Sequence, residues 1–357
     1  MDFIRITKRD NLSRKKEILI TVLAIVLSIV FAGIILLIFG LNPFEIFKEI
    51  IMGSVGTGLR VKQTIVKAVP LIITSMGIIV AFKMKFWNIG AEGQITMGAL
   101  GASWVALNLS PNLPQPVMLL LMMVGAAVCG GIWAFIPAIF KAKLGTNETI
   151  FTLMMNYVAI KFVTYLQYGP WMDPAANGFP KIAMFPDNAV MPKLGGVNIG
   201  WILAILAAAF VYFFMNYTKK GYEITVVGES IETARYAGMN ISRIIVVAML
   251  ISGGLCGITG MIQASAIEKT LVYGIANGYG FTAIITAWLS KLNAGYAVAV
   301  CAVFAMLIQG GQYIQIALGV PSAVSDIVQG LILFFVLGSE FFMRYRVHIG
   351  RNSKEVA

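Results

Sequence analysis

From Ile18 to Leu41 the chain carries no Asp, Glu, Lys or Arg. A helix of that length, rising about 1.5 Å per residue, crosses the hydrocarbon core of a bilayer, about 30 Å thick. Runs of this kind recur near 17–41, 64–83, 94–110, 117–140, 149–167, 199–216, 244–267, 281–292, 295–313 and 322–343. They leave little sequence for a separate soluble domain. Of the 357 residues, 59% are hydrophobic and 12% charged, against about 25% charged in soluble globular chains. A soluble enzyme is excluded, and the expected fold is all-α: a polytopic transmembrane helical bundle of about ten spans.

The net charge of +11 suggests a nucleic-acid partner until the charges are located. Residues 1–16 hold Arg5, Lys8, Arg9, Arg14, Lys15 and Lys16, and residues 344–357 hold Arg344, Arg346, Arg351 and Lys354. Retention of basic residues on the cytoplasmic side accounts for both clusters without nucleic acid. The expected organisation is a cytoplasmic basic tail (1–16), a transmembrane domain (17–343) and a second cytoplasmic tail (344–357), with an even number of crossings. The first apolar run is longer than a signal-peptide core and reads as a retained span. This topology places 217–243 inside, with Lys219, Lys220, Arg235 and Arg243, and 168–198 outside, where Lys181 and Lys193 are balanced by Asp173 and Asp187. Pro170, Pro174, Pro180, Pro186 and Pro192 make the outer segment an irregular loop, either a solvated connector or a contact surface for an external partner.

Cys129, Cys256 and Cys301 lie in apolar runs and His348 in the basic tail. That leaves no material for a disulfide framework, a Cys/His metal site or a histidine proton relay. No phosphate loop of the G-x-x-x-x-G-K-[ST] pattern occurs. Carboxylates within the spans are too scarce to favour an ion-coupled secondary transporter, and no catalytic cluster supports an intramembrane enzyme.

Two spans are interrupted. The second run ends in Phe82-Lys83-Met84-Lys85, and Asn88-Ile89-Gly90-Ala91-Glu92-Gly93-Gln94 breaks the apolar pattern before the third. The eighth is short and opens after Gly274, Asn277, Gly278 and Gly280. Polar, glycine-rich backbone at membrane depth is tolerated only where protein covers it or where it lines a wet cavity. Corresponding interruptions five spans apart point to an inverted repeat of broken helices, with the path between them. Glu92 either faces a water-filled cavity or serves neighbouring amides at a helix start. Asn88, Gln94 and Asn156 either read a polar solute or bind helices together. Phe86, Trp87 and Trp288 either stack on a planar solute or anchor the spans at an interface. The candidate translocation path comprises Phe86, Asn88, Glu92, Gln94, Asn156 and Trp288.

In the inner loop, Ser230 is a good N-cap, Glu232 falls in the first turn and Gly238 suits the position just past a helix end. The pattern predicts a two-turn helix with a small apolar face of Ile231, Ala234 and Ala237 or Gly238. It is either a knob for another protein or a surface helix packed on its own bundle.

Trp87-Asn88-Ile89-Gly90-Ala91-Glu92-Gly93-Gln94 closely resembles the Phe-Asn-Ile-Gly-Ala-Glu-Gly-Gln motif of nucleoside-type permeases in the branched-chain amino acid/ribose permease superfamily of ABC importers. Further matches are Gly145-Thr146-Asn147-Glu148 with Asn156-Tyr157, Gly221-Tyr222 with Ala234-Arg235-Tyr236-Ala237-Gly238, and Gly280-Phe281 through Lys291-Leu292-Asn293. Trp87 stands where Phe is usual, Thr282-Ala283 where Asp-Gly is usual, and Ala294 where Pro often follows. The resemblance implies a multi-pass permease of the bacterial plasma membrane, without cofactor of its own. Its implied partners are a second homologous permease, a cytoplasmic ATPase that binds ATP and magnesium, an external substrate-binding lipoprotein and the nucleoside itself. Gly221, Tyr222, Gly228, Ala234, Arg235, Tyr236, Ala237 and Gly238 fall in the family's ATPase-coupling segment. A sugar or branched-chain amino acid permease is the alternative within the class.

Overall fold

A computed structural model describes residues 4–8, 13–109, 112–321 and 323–349. The helices of the first half are α1 (Arg14–Ile38), α2 (Pro43–Val55), α3 (Gly58–Lys83), α4 (Ala91–Asn108), α5 (Gln115–Leu144) and α6 (Glu148–Tyr168). Those of the second half are α7 (Gly200–Tyr217), α8 (Lys219–Glu229), α9 (Ile231–Tyr236), α10 (Ile241–Ile262), α11 (Tyr279–Leu289), α12 (Ala294–Leu318) and α13 (Ala323–Arg344). Every apolar run read from the sequence folds as a helix. By length and composition, six helices among the described residues can each cross a membrane, or seven if α1 and α2 form one bent span, against the ten expected. The clearest difference is α11, whose 11 residues rise about 16 Å, half the thickness of the core.

The chain forms two compact units, with boundaries inside α3 and α12. The first comprises Met1–Val61 and Met306–Ala357. Here a strand Ile4–Lys8 pairs antiparallel with Tyr345–Ile349, so the two basic tails join as a ribbon, which their charge pattern did not announce. α1 runs along α13, with the Phe31 and Phe335 ring centroids 5.3 Å apart. Gly40, at φ +73°, turns the chain, and Asn42 caps α2 by accepting the Phe44 amide at 3.1 Å. α2 consequently leaves α1 at 116°. Its Ile46 and Ile50 pack with Leu36, Ile314, Val320 and Val324. A Cβ on Gly53 would meet the Tyr313 ring at 2.5 Å, so only glycine lets α2 approach α12 so closely.

The second unit, Lys62–Ala305, is built around α4. α4 packs between α5 and α10, and most of its residues from Ala91 to Ala106 are buried. A helix covered all round needs no polar face, and its sequence shows none. In lipid, helices associate through close packing at small residues. A Cβ on Gly101 would lie 2.5 Å from the Gly125 carbonyl, and one on Gly130 would lie 2.7 Å from Gly257 Cα. α10 continues as a wide π turn, Gln263–Glu268, and stops at Lys269, where φ is +54°.

The proline-rich segment 168–198 folds as two 3-10 turns, Pro174–Ala176 and Asp187–Ala189, and a short ribbon pairing Lys193–Leu194 with Val197–Asn198. It is fastened to the end of α10 and the chain beyond. The Phe185 amide donates to the Lys269 carbonyl at 2.9 Å. The Ser265 and Thr270 hydroxyls donate to the Ala189 and Ile182 carbonyls at 2.6 and 3.0 Å. With Ile182, Phe185 and Ala189 buried beneath it, the segment is a fitted cover, irregular because proline removes donors that a strand or helix would need.

Candidate functional site

The two interruptions meet. α11 starts at Gly278, whose φ is +76°, and none of its own side chains caps it. Glu92, in the first turn of α4, supplies the missing acceptor: its Oε1 accepts the Gly278 amide at 2.7 Å and its Oε2 the Gly280 amide at 2.8 Å. A Cβ on Gly280 would lie 2.7 Å from Glu92 Cα, so glycine is needed for this approach. The positive N-terminal ends of α4 and α11 thus converge on one carboxylate, which offsets the repulsion between them.

The loop leading into α4 is held just as fully. Asn88 and Gln94 exchange amide hydrogen bonds at 3.2 and 3.0 Å. Asn88 also accepts the Gly90 amide at 3.0 Å and donates to the Ser252 hydroxyl at 3.2 Å. From α6, Asn156 accepts the Gly93 amide at 2.8 Å and donates to the Ile89 carbonyl at 2.9 Å. One turn earlier, the Thr152 hydroxyl accepts the Ile89 amide at 3.2 Å. Asn88, Gln94, Asn156 and Glu92 are 0%, 1%, 2% and 6% exposed. Asn88 uses all four of its hydrogen-bonding positions within the protein, leaving none for a solute.

The aromatic residues divide differently from their order in the chain. Phe86 is buried, whereas Trp87 is 43% exposed. Trp87 stacks on Trp288 of α11, with centroids 5.3 Å apart and planes at 25°, and Phe82 packs against both rings. One indole comes from the loop between α3 and α4, the other from the last turn of α11.

The segment 217–243, expected to hold one short helix, holds two, α8 and α9. Thr218 caps α8 by accepting the Gly221 amide at 3.1 Å, and Gly221 packs on the backbone of Phe214 and Met215. Gly228 lies against the Lys83 carbonyl and Met84 at the end of α3, with no room for a Cβ. Ser230 caps α9 by accepting the Thr233 amide at 3.2 Å, and Gly238 closes the turn at φ +71°. Ala234 is buried; Tyr222, Arg235, Tyr236, Ala237 and Gly238 are exposed.

The family model described as branched-chain amino acid transport system / permease component matches residues 60–337. The chain belongs to this permease family. A glucose ABC transporter permease of Haloferax volcanii is 34% identical to it, over 92% of this chain and 89% of its own length. A guanosine ABC transporter permease of Bacillus subtilis is 32% identical, over 91% of this chain and 94% of its own length. A second guanosine ABC transporter permease of the same organism is 28% identical, over 63% and 72%. The permease is a multi-pass membrane transport component, not an enzyme.

Within the permease, the sequence pattern singled out the polar residues of the first interruption but missed what they bond to. Thr152, four residues before Asn156 on α6, was detectable only as a second polar residue on the same helical face. The amides of Gly278 and Gly280 leave no side-chain signal at all. Trp87 and Phe86 are interchangeable by composition, and only the fold decides which one is exposed.

Proposed function

We propose that this chain is the transmembrane permease subunit of an ATP-driven importer for nucleosides and forms half of the translocation pathway. The observation that carries the nucleoside reading is similarity to a guanosine permease along nearly the full length of both chains. The Asn88–Gln94 motif and the Trp87–Trp288 pair support it, since a flat aromatic surface suits a passing base. The glucose permease of Haloferax volcanii favours a second reading, a sugar importer.

In this proposal α3 with α4 and α10 with α11 are the two copies of an inverted repeat, and their broken ends meet at Glu92. About ten passes, four more than the six helices of full length, place both termini and α8–α9 in the cytoplasm of a bacterial plasma membrane. Asn88, Glu92, Gln94 and Asn156 set the frame of the path, Phe86 packs behind it, and Trp87 and Trp288 face it. Gly221, Tyr222, Gly228 and Ala234 to Gly238 form the docking segment for a cytoplasmic ATPase, which binds the ATP and magnesium. An external lipoprotein delivers solute, and a second homologous permease completes the path; similarity to two guanosine permeases of one organism is consistent with such a pair.

Uptake of labelled guanosine and labelled glucose into cells producing the complete importer tests the reading. Guanosine uptake that excess adenosine reduces and excess glucose does not is the expected result. Glucose uptake alone would establish the sugar reading. Uptake that persists without ATP and collapses with an uncoupler would establish a secondary transporter.

A further inference from the structure

Along α7 the chain places Ala204, Ala207, Ala208 and Ala209 within two turns. Side chains this small cannot fill the space beside α3, and a groove results. Its outer part, about 490 Å³, lies between Ile65–Ile72 of α3 and Trp201–Ile205 of α7. The middle part, about 320 Å³, continues past Ala208 and Ala209 to Tyr212, with Gly295 and Val298 of α12 on the far wall. Both are lined almost wholly by apolar atoms. At Tyr212 the groove opens into a pocket of about 280 Å³ whose lining includes Lys83, Asn216, Tyr222, Thr225 and Asn293, and no carboxylate. Among the described residues no acidic side chain pairs with Lys83.

We propose that this groove holds one anionic phospholipid, with an acyl chain on the alanine floor and the phosphate at Lys83. Three observations select that occupant. Polarity changes once, from apolar to mixed, along a single continuous groove, as it does along a lipid molecule. From Ala204 to Tyr212 is eight residues, about 12 Å of helix, which fits within the roughly 15 Å of one leaflet's hydrocarbon. An ammonium group with hydroxyl and amide neighbours and no carboxylate suits a phosphate oxygen. Tyr222 and Thr225 belong to α8, so the headgroup touches the helix that packs on the end of α3.

The test uses the full-length permease purified in detergent and titrated with phosphatidylglycerol or phosphatidylcholine of identical acyl chains, counting bound lipid by native mass spectrometry. The expected result is one tightly held phosphatidylglycerol, preferred about five-fold over phosphatidylcholine, the worth of one lysine near a charged headgroup. Lys83→Gln should abolish the preference, Lys83→Arg should retain it, and Ala208→Phe, which fills the groove, should weaken both lipids alike. Equal binding of the two lipids by the unaltered protein overturns the proposal, as does a preference that survives Lys83→Gln. If Ala208→Phe leaves lipid binding unchanged but reduces the size of the complex, a second permease copy occupies the groove and the lipid assignment fails.

Discussion

Glu92 is a buried carboxylate whose two oxygens each accept one backbone amide of α11. Replacing it with Gln preserves the shape, removes the charge and turns one acceptor into a donor, so one of the two amides is left facing an N–H. A buried group left without its partner costs about 1–3 kcal/mol. Glu92→Gln is therefore expected to lower the thermal midpoint of the purified permease and to reduce uptake, and to leave intact the proposed docking of α8–α9 on an ATPase. An unchanged melting curve would show that the carboxylate is dispensable to the frame. Asn156→Ala removes the two hydrogen bonds that Asn156 makes to the loop, leaving the one to Thr152, and should destabilise by a similar amount, whereas Trp87→Ala should leave the melting curve nearly unchanged and slow uptake. That contrast between melting and transport separates frame from path. At this scale the sequence picked out polar residues that the fold buries and bonds at the break, but not what they bond to: amide side chains look the same whether they read a solute or hold a loop.

Among the elements, α8 and α9 depend on contacts that leave no room for error. A Cβ at position 228 would run into the Lys83 carbonyl, and overpacking of this kind costs about 1–3 kcal/mol. Gly228→Ala should push α8 off the end of α3 and uncouple transport from ATP hydrolysis even though α9 keeps its own cap. Arg235 is exposed on α9, so Arg235→Glu should leave folding intact and reduce both co-purification of the ATPase and uptake. Normal recovery of the complex with this variant would make α9 a surface helix packed on its own bundle. The α9 caps were legible because Ser230 and Gly238 act within their own turn. The seat of α8 was not, because Gly228 is defined by a backbone more than a hundred residues away.

For the whole molecule, the segregation of basic residues sets the topology that can be tested. A cysteine introduced at Ser230, in a background lacking Cys129, Cys256 and Cys301, should react with an impermeant thiol reagent only after the cells are opened. Labelling in intact cells would reverse the assignment of α8 and α9 to the cytoplasm. The sequence alone determined that the chain is membrane-embedded and mainly helical, where its long apolar helices fall, and where two of them break, but it did not mark α2 or α8. These follow from local physics: a long uncharged run has no alternative to a helix in lipid, and a polar, glycine-rich stretch at membrane depth must be covered by protein or line a cavity. Only the tertiary structure decided that the tails pair as a ribbon, that α4 is enclosed through glycine contacts, and that the two breaks share one carboxylate. Each of these is a contact between segments distant in the chain, made through backbone atoms and missing side chains, and a one-dimensional pattern of side chains carries no record of backbone meeting backbone.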